Sequence, residues 1–155
     1  MAPRRPRDIG TDAERAVVRW LQTHGWPHAE RRALRGTQDA GDITGTPGIC
    51  WEIKAGAQTR LPSDMQVEGW LAETEQQRRH ARADHAVLVT RRHGTGDPGR
   101  WWAWLHIGQV ARLADQAMGR ARQTPHGLVG DHPVCMHLAA AVTLLHAAGY
   151  GGDAA

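Results

Sequence analysis

The chain has no phenylalanine, one tyrosine and, among 19 basic side chains, a single lysine. Seven tryptophans must therefore supply most of the aromatic bulk of its core. Cysteine is just as sparse. Cys50 and Cys135 lie far apart with no secretory leader ahead of them, which excludes a disulfide framework and reads as two small buried thiols. The opening MAPRRPRDIG is basic, but no apolar segment follows it, and no apolar run approaches the ~20 residues of a membrane span. A signal peptide and a membrane anchor are thus excluded from the reading, and a cytoplasmic protein is expected. Charge is nearly missing from residues 116–155, which carry only Arg120, Arg122, Asp131 and Asp153.

Hydrophobic residues make up 41% and charged residues 23%, the balance of a folded globular chain rather than a disordered one. The net charge of +3 is compatible with a polyanionic partner without requiring one. Arginines cluster at Arg4, Arg5, Arg7; at Arg31, Arg32, Arg35; at Arg78, Arg79, Arg82; and at Arg91, Arg92. Each cluster reads either as phosphate-contacting surface or simply as a solvated face.

Apolar spacing through Ala13, Val17, Trp20 and Leu21 predicts a helix over 11–24, opened by a capping box in TDAE and stopped by HGWP. A polar edge strand is expected near 28–35. Short strands at 42–44 and 48–55 flank GTPG, whose composition favours a hairpin. A second helix begins after Ser63, with Gln66 as its capping-box partner. A buried strand at 85–91, a loop, an aromatic strand at 100–107 and a helix at 107–118 follow. A Gly/Pro-rich passage at about 123–133 then leads to a last helix in VCMHLAAAVTLLHAAG. This order predicts an α/β (α+β) fold, a mixed sheet flanked by helices in one domain spanning 1–155. Its core covers about 10–115, with a helical extension over about 116–150.

Strand alternation gives the lone lysine its context. On 48–55, Cys50, Glu52 and Lys54 share one face, and Trp51 and Ile53 share the other. Hydrolysis of a phosphodiester needs a nucleophilic water, neutralisation of phosphoryl charge and help for the leaving alkoxide. A divalent cation held by carboxylates supplies all three. Magnesium keeps several waters, so Asp42, Glu52 and the Ile53 carbonyl suffice as protein ligands. Lys54, a compact ammonium whose pKa shifts more readily than that of arginine, stands where it can orient or deprotonate water and steady phosphorane charge.

These residues carry a resemblance. Gly10 to about Val110 resembles the PD-(D/E)XK nuclease superfamily, and within it the Holliday junction resolvase-like nucleases of archaea and bacteriophages. It does so through GTDAE with Glu14, DAGDITG with Asp42, WEIK with Glu52 and Lys54, the helix of LPSDMQVEGWLAETEQQ, and HAVLVTRRHGTGDPGRWWAWL. Gly41 stands where the superfamily name has proline. The resemblance implies an αβββαβ core, Mg²⁺ dependence with Mn²⁺ as a possible substitute, a homodimer, and Glu14, Asp42, Glu52 and Lys54 as catalytic residues, the three acids on the metal. The expected activity is structure-selective cleavage of branched DNA, chiefly four-way junctions. Another nuclease activity on linear duplex or flaps, or a catalytically silent DNA-binding module, is the alternative.

Several residues keep two readings. Glu14 is either the reciprocal acid of a capping box with Thr11 or a metal-site carboxylate, and Gln66 has the same ambiguity beside Ser63. Asp39 is an accessory ligand or a turn former. His132, Cys135 and His137 lie close together, but no second pair completes a zinc site. Of the tryptophans in RWWAWL, alternation turns one or two outward, to stack on a base or to pack in a dimer.

Overall fold

The structure, a computed structural model, describes residues 5–33, 39–120 and 131–152. Helix α1, Pro6–Gln22, starts well before Thr11. Pro6 brings a fixed φ to the first turn, where its missing N–H is not needed, and Asp8 places a negative charge near the positive helix end. Thr11 is therefore an interior residue, and its expected capping box with Glu14 does not form. One face of α1 buries Ala13, Val17, Val18 and Leu21.

Strands β1 (Glu30–Arg31) and β2 (Ile43–Thr44) form a two-residue antiparallel ladder. Strand β3, Ile49–Lys54, leads into α2, Asp64–Ala81, and then β4, His85–Thr90. Ser63 caps α2 as predicted: its hydroxyl accepts from the Gln66 N–H while the Gln66 side chain accepts from the Ser63 N–H. Strand β5 (Trp102–His106), α3 (Ile107–Ala117), β6 (Pro133–His137) and α4 (Leu138–Ala147) complete the order. The main sheet runs β3-β4-β5-β6, with β3 and β4 parallel and the other neighbours antiparallel.

Two expectations are corrected. GTPG does not join a hairpin ladder, because β3 pairs in parallel with all six residues of β4 rather than with β2. Ile49 to Ile53 are buried throughout, the signature of a strand covered on both faces, and a two-residue β2 cannot satisfy its backbone. The segments are tied instead by local bonds, among them the Asp42 N–H to the Trp51 carbonyl at 2.8 Å and the Ile53 N–H to Asp42 Oδ2 at 2.7 Å. Residues 133–137 are also a strand rather than the start of the last helix. Val134 and Met136 pair with Leu105 and Ala103, so β6 satisfies the outer edge of β5 that a helix would leave open. The C-terminal extension is therefore an edge strand plus a helix.

The two sheet faces differ. Trp51, Ile53, Val87, Val89, Ala103 and Leu105 build the main core against α1, Leu113 of α3 and Leu138, Val142 and Leu145 of α4. The opposite face carries a smaller cluster in which Val67 and Leu71 of α2 cover Leu88. That second face also carries Glu52 and Lys54. Among the described residues no helix is long and apolar enough to cross a membrane.

Candidate active site

The C-terminal half of β3 gathers the charged residues. Glu52 is buried, 6% exposed, and its Oε1 lies 2.6 Å from Lys54 Nζ. Asp42 arrives from the segment before β2, its Oδ2 accepting the Ile53 N–H at 2.7 Å while its own carbonyl accepts the Arg32 N–H at 2.7 Å. Because the N–H and C=O of a strand residue share an edge, the Ile53 carbonyl also points to the Asp42 side of β3. Gly41 explains the close approach. At φ +89, a Cβ there would sit 2.8 Å from both Cys50 Sγ and the Trp51 carbonyl oxygen, so neither proline nor another L-residue fits this geometry.

Burial, and next the charge of Glu52, push the Asp42 carboxyl up to about 8; Glu14 adds to the rise, while the Ile53 N–H and Lys54 oppose it. Glu52 is also raised, by burial, against the hydrogen bonds of Lys54 and Gln77. For Lys54, burial disfavours the ammonium, but the hydrogen bond and charge of Glu52, with Glu73 behind them, more than offset it and raise its pKa. Burial thus wins at the carboxylate end of the ion pair and attraction wins at the ammonium end. Lys54 is therefore held as an ammonium, with no lone pair to accept a proton. Burial pushes the Cys50 thiol up to about 12, which removes it as a nucleophile.

Helix α2 supplies two residues that sequence reasoning missed. Glu73 Oε2 lies 3.2 Å from Lys54 Nζ, and Gln77, 2% exposed, donates to Asp39 Oδ2 at 2.9 Å beside Glu52. A signal was present: Gln77 continues the buried stripe of Val67, Leu71 and Thr74, a polar residue where the helical period calls for an apolar one.

Of the residues with two readings, Glu14 faces Arg31, which donates to it, and its charge reaches Asp42. Asp39 accepts the Gly41 N–H at 3.1 Å, a turn role, and also bonds Gln77. Gln66 lies in its capping box, two turns and about 10 Å along α2 from Glu73. Arg5 stands at the N-cap position of α1 without a side-chain capping bond, Arg7 is exposed on the helix, and Arg91 and Arg92 lie over the rings of Trp101 and Trp102. Arg4 and Arg35 fall outside the described residues.

No protein-family model, curated protein or solved structure matches this chain. Its chemistry is read from the site itself. Among the described residues no group of three or more His, Cys, Asp or Glu side chains is placed to hold a metal ion. The donors at β3 are two carboxylates and a backbone carbonyl, a set that suits a hard cation retaining its waters and not a closed zinc cage.

Proposed function

We propose that this protein is a metal-dependent endodeoxyribonuclease of the PD-(D/E)XK type that hydrolyses branched DNA, with four-way junctions as the preferred substrate. The observation that carries the proposal is the meeting of Asp42, Glu52 and Lys54 at one end of β3, with two carboxyls raised by burial beside a retained ammonium. A solvated surface ion pair has no reason to bury two acids together, at a cost in desolvation. The element order α1, β1, β2, β3, α2, β4 supports the same reading.

Asp42, Glu52 and the Ile53 carbonyl would hold Mg²⁺, or Mn²⁺ in its place, which when bound supplies Lewis acidity to the phosphoryl oxygens and lowers the pKa of its water. Lys54 donates to the attacking oxygen or to a phosphoryl oxygen and stabilises the charge that grows there. Glu73 and Glu52 hold Lys54 from two sides, and Gln77 fixes Asp39 next to Glu52. Glu14, steered by Arg31, adds negative charge on the Asp42 side. Arg5, Arg7, Arg32, Arg91 and Arg92 offer phosphate contacts that orient the DNA without reading its sequence. Paired cuts in opposed strands require two sites related by a two-fold axis, so the active species is a homodimer.

Cleavage of a labelled four-way junction beside linear duplex of the same sequence, with and without Mg²⁺, tests this. Paired metal-dependent nicks confined to the junction are expected. Lys54→Ala and Lys54→Arg should each lower kcat by about 100-fold or more, the scale for losing one transition-state donor, with binding retained. Cutting of both substrates would withdraw junction selectivity. Binding by wild type without any cleavage would make the chain a silent DNA-binding module.

A further inference from the structure

The row of side chains that begins at Lys54 continues across the sheet. Lys54 is in register with Thr90, Thr90 with Trp102, and Trp102 with His137. Register partners point to the same face, and neighbouring strands lie about 4.8 Å apart, so Trp102 stands about 10 Å and His137 about 14 Å from Lys54 on the face of the candidate site.

This row differs from the next one down the sheet. There Trp104 packs beside Leu88 under Val67 and Leu71 of α2, and its Nε1 donates to Thr90 Oγ1 at 3.0 Å. Trp102, like Trp104, is half-buried, and in its row the neighbouring His137 is exposed. Their rings stack at 5.1 Å with an interplanar angle of 26°. The Arg92 guanidinium lies 4.5 Å from the Trp102 ring centre, and its Nη1 donates to His137 Nε2 at 3.0 Å. Two aromatic rings and a cation thus form one stacked cluster whose most exposed member is His137. A flat π-surface with a fixed cation suits a nucleobase and its phosphate. Within a duplex that base face is already occupied by its neighbours, so only an unstacked base can take the position.

We infer that Trp102, His137 and Arg92 form a stacking platform for an unpaired base of a DNA strand running into the active site. The inference rests on the nuclease reading for its substrate and narrows that substrate to DNA with a single-stranded segment next to the cut. The separation of 10–14 Å corresponds to about three or four nucleotides of stacked strand, and fewer of an extended one.

The test is fluorescence anisotropy of a labelled oligothymidylate binding the full-length protein in EDTA, beside the same strand with one abasic position moved along it. Wild type should lose about tenfold in affinity when the abasic position reaches the platform. Trp102→Ala should lose a similar factor and become indifferent to that position, whereas Trp102→Phe should keep most of both. Arg92→Gln, a loop change that leaves the sheet intact, should weaken binding several-fold and make it less salt-dependent. An abasic effect of equal size in wild type and Trp102→Ala would overturn the platform. So would self-association that Trp102→Ala abolishes together with a lack of base dependence, since the surface would then be a contact between copies. Base-dependent binding by a wild type that cuts nothing with Mg²⁺ would support the platform and retire the nuclease reading; base-independent binding with intact cleavage would do the reverse.

Discussion

Replacing Asp42 by asparagine should stabilise the metal-free protein and, on the proposed nuclease reading, abolish cleavage. The carboxyl titrates at about 8 in the fold against 3.8 ordinarily, so the folded state holds its proton more tightly than the unfolded chain. Its contribution is complete below about 4 and is lost as pH rises through about 8. At about 1.4 kcal/mol per pH unit, the rise sets a ceiling of about 6 kcal/mol on the loss, and Glu52 shares that titration. Asparagine keeps an oxygen for the Ile53 N–H and removes the charge. A gain of only about 2 kcal/mol at pH 8 would raise the melting midpoint by about 4 to 8 °C in a chain of this size. The assay is thermal melting by circular dichroism from pH 5 to pH 8.5 in EDTA and again in Mg²⁺. Wild type in EDTA should lose stability toward high pH, the variant should have a flatter profile, and Mg²⁺ should raise the wild-type midpoint most at pH 8 while leaving the variant unmoved. A variant no more stable than wild type at pH 8, or a flat wild-type profile, would refute the view that burial, and next the charge of Glu52, holds the Asp42 carboxyl high here.

His85 gives the opposite limb. Burial holds this imidazole below its ordinary pKa, and its Nδ1 is buried without a hydrogen-bond partner among the described residues. Its contribution is present above about pH 6.5 and lost as pH falls below it, so melts from pH 7 to pH 5 should show an acid decline that His85→Leu flattens. The two candidate caps separate cleanly: Ser63→Ala should cost about 1 kcal/mol in urea denaturation, whereas Thr11→Ala, inside α1, should cost no more than about 0.5 kcal/mol. Equal costs would contradict the helix start at Pro6. His146 bridges the His24 and Tyr150 carbonyls at 2.9 and 2.8 Å, so His146→Ala should cost about 1–3 kcal/mol and loosen the tail at 149–152, read as faster amide exchange there.

Short-range physics was legible along the chain. The capping box at Ser63 and Gln66 depends on residues three apart, and the common face of Glu52 and Lys54 depends only on the two-residue period of a strand. Most boundaries of β3, α2, β4, β5 and α3 follow from the same local periods. Where local signals were compatible with two outcomes, they did not decide. Thr11 and Glu14 have cap spacing, yet proline and aspartate one turn earlier start the helix first.

By itself, then, the sequence determined that an acid and the only lysine are neighbours on a strand, that α2 is capped where it begins, and that tryptophan fills the aromatic places in the core. Tertiary structure alone decided what surrounds them. The parallel pairing of β3 with β4 turns α2 over the second sheet face and so selects Glu73 and Gln77 as the partners of Lys54 and Asp39. The open backbone edge of β5 draws Pro133–His137 into a strand, although the apolar run there suits a helix equally well. It also sets His137 beside Trp102, in register with Lys54 across four strands, because hydrogen-bond pairing between segments far apart in the chain has no local period to announce it.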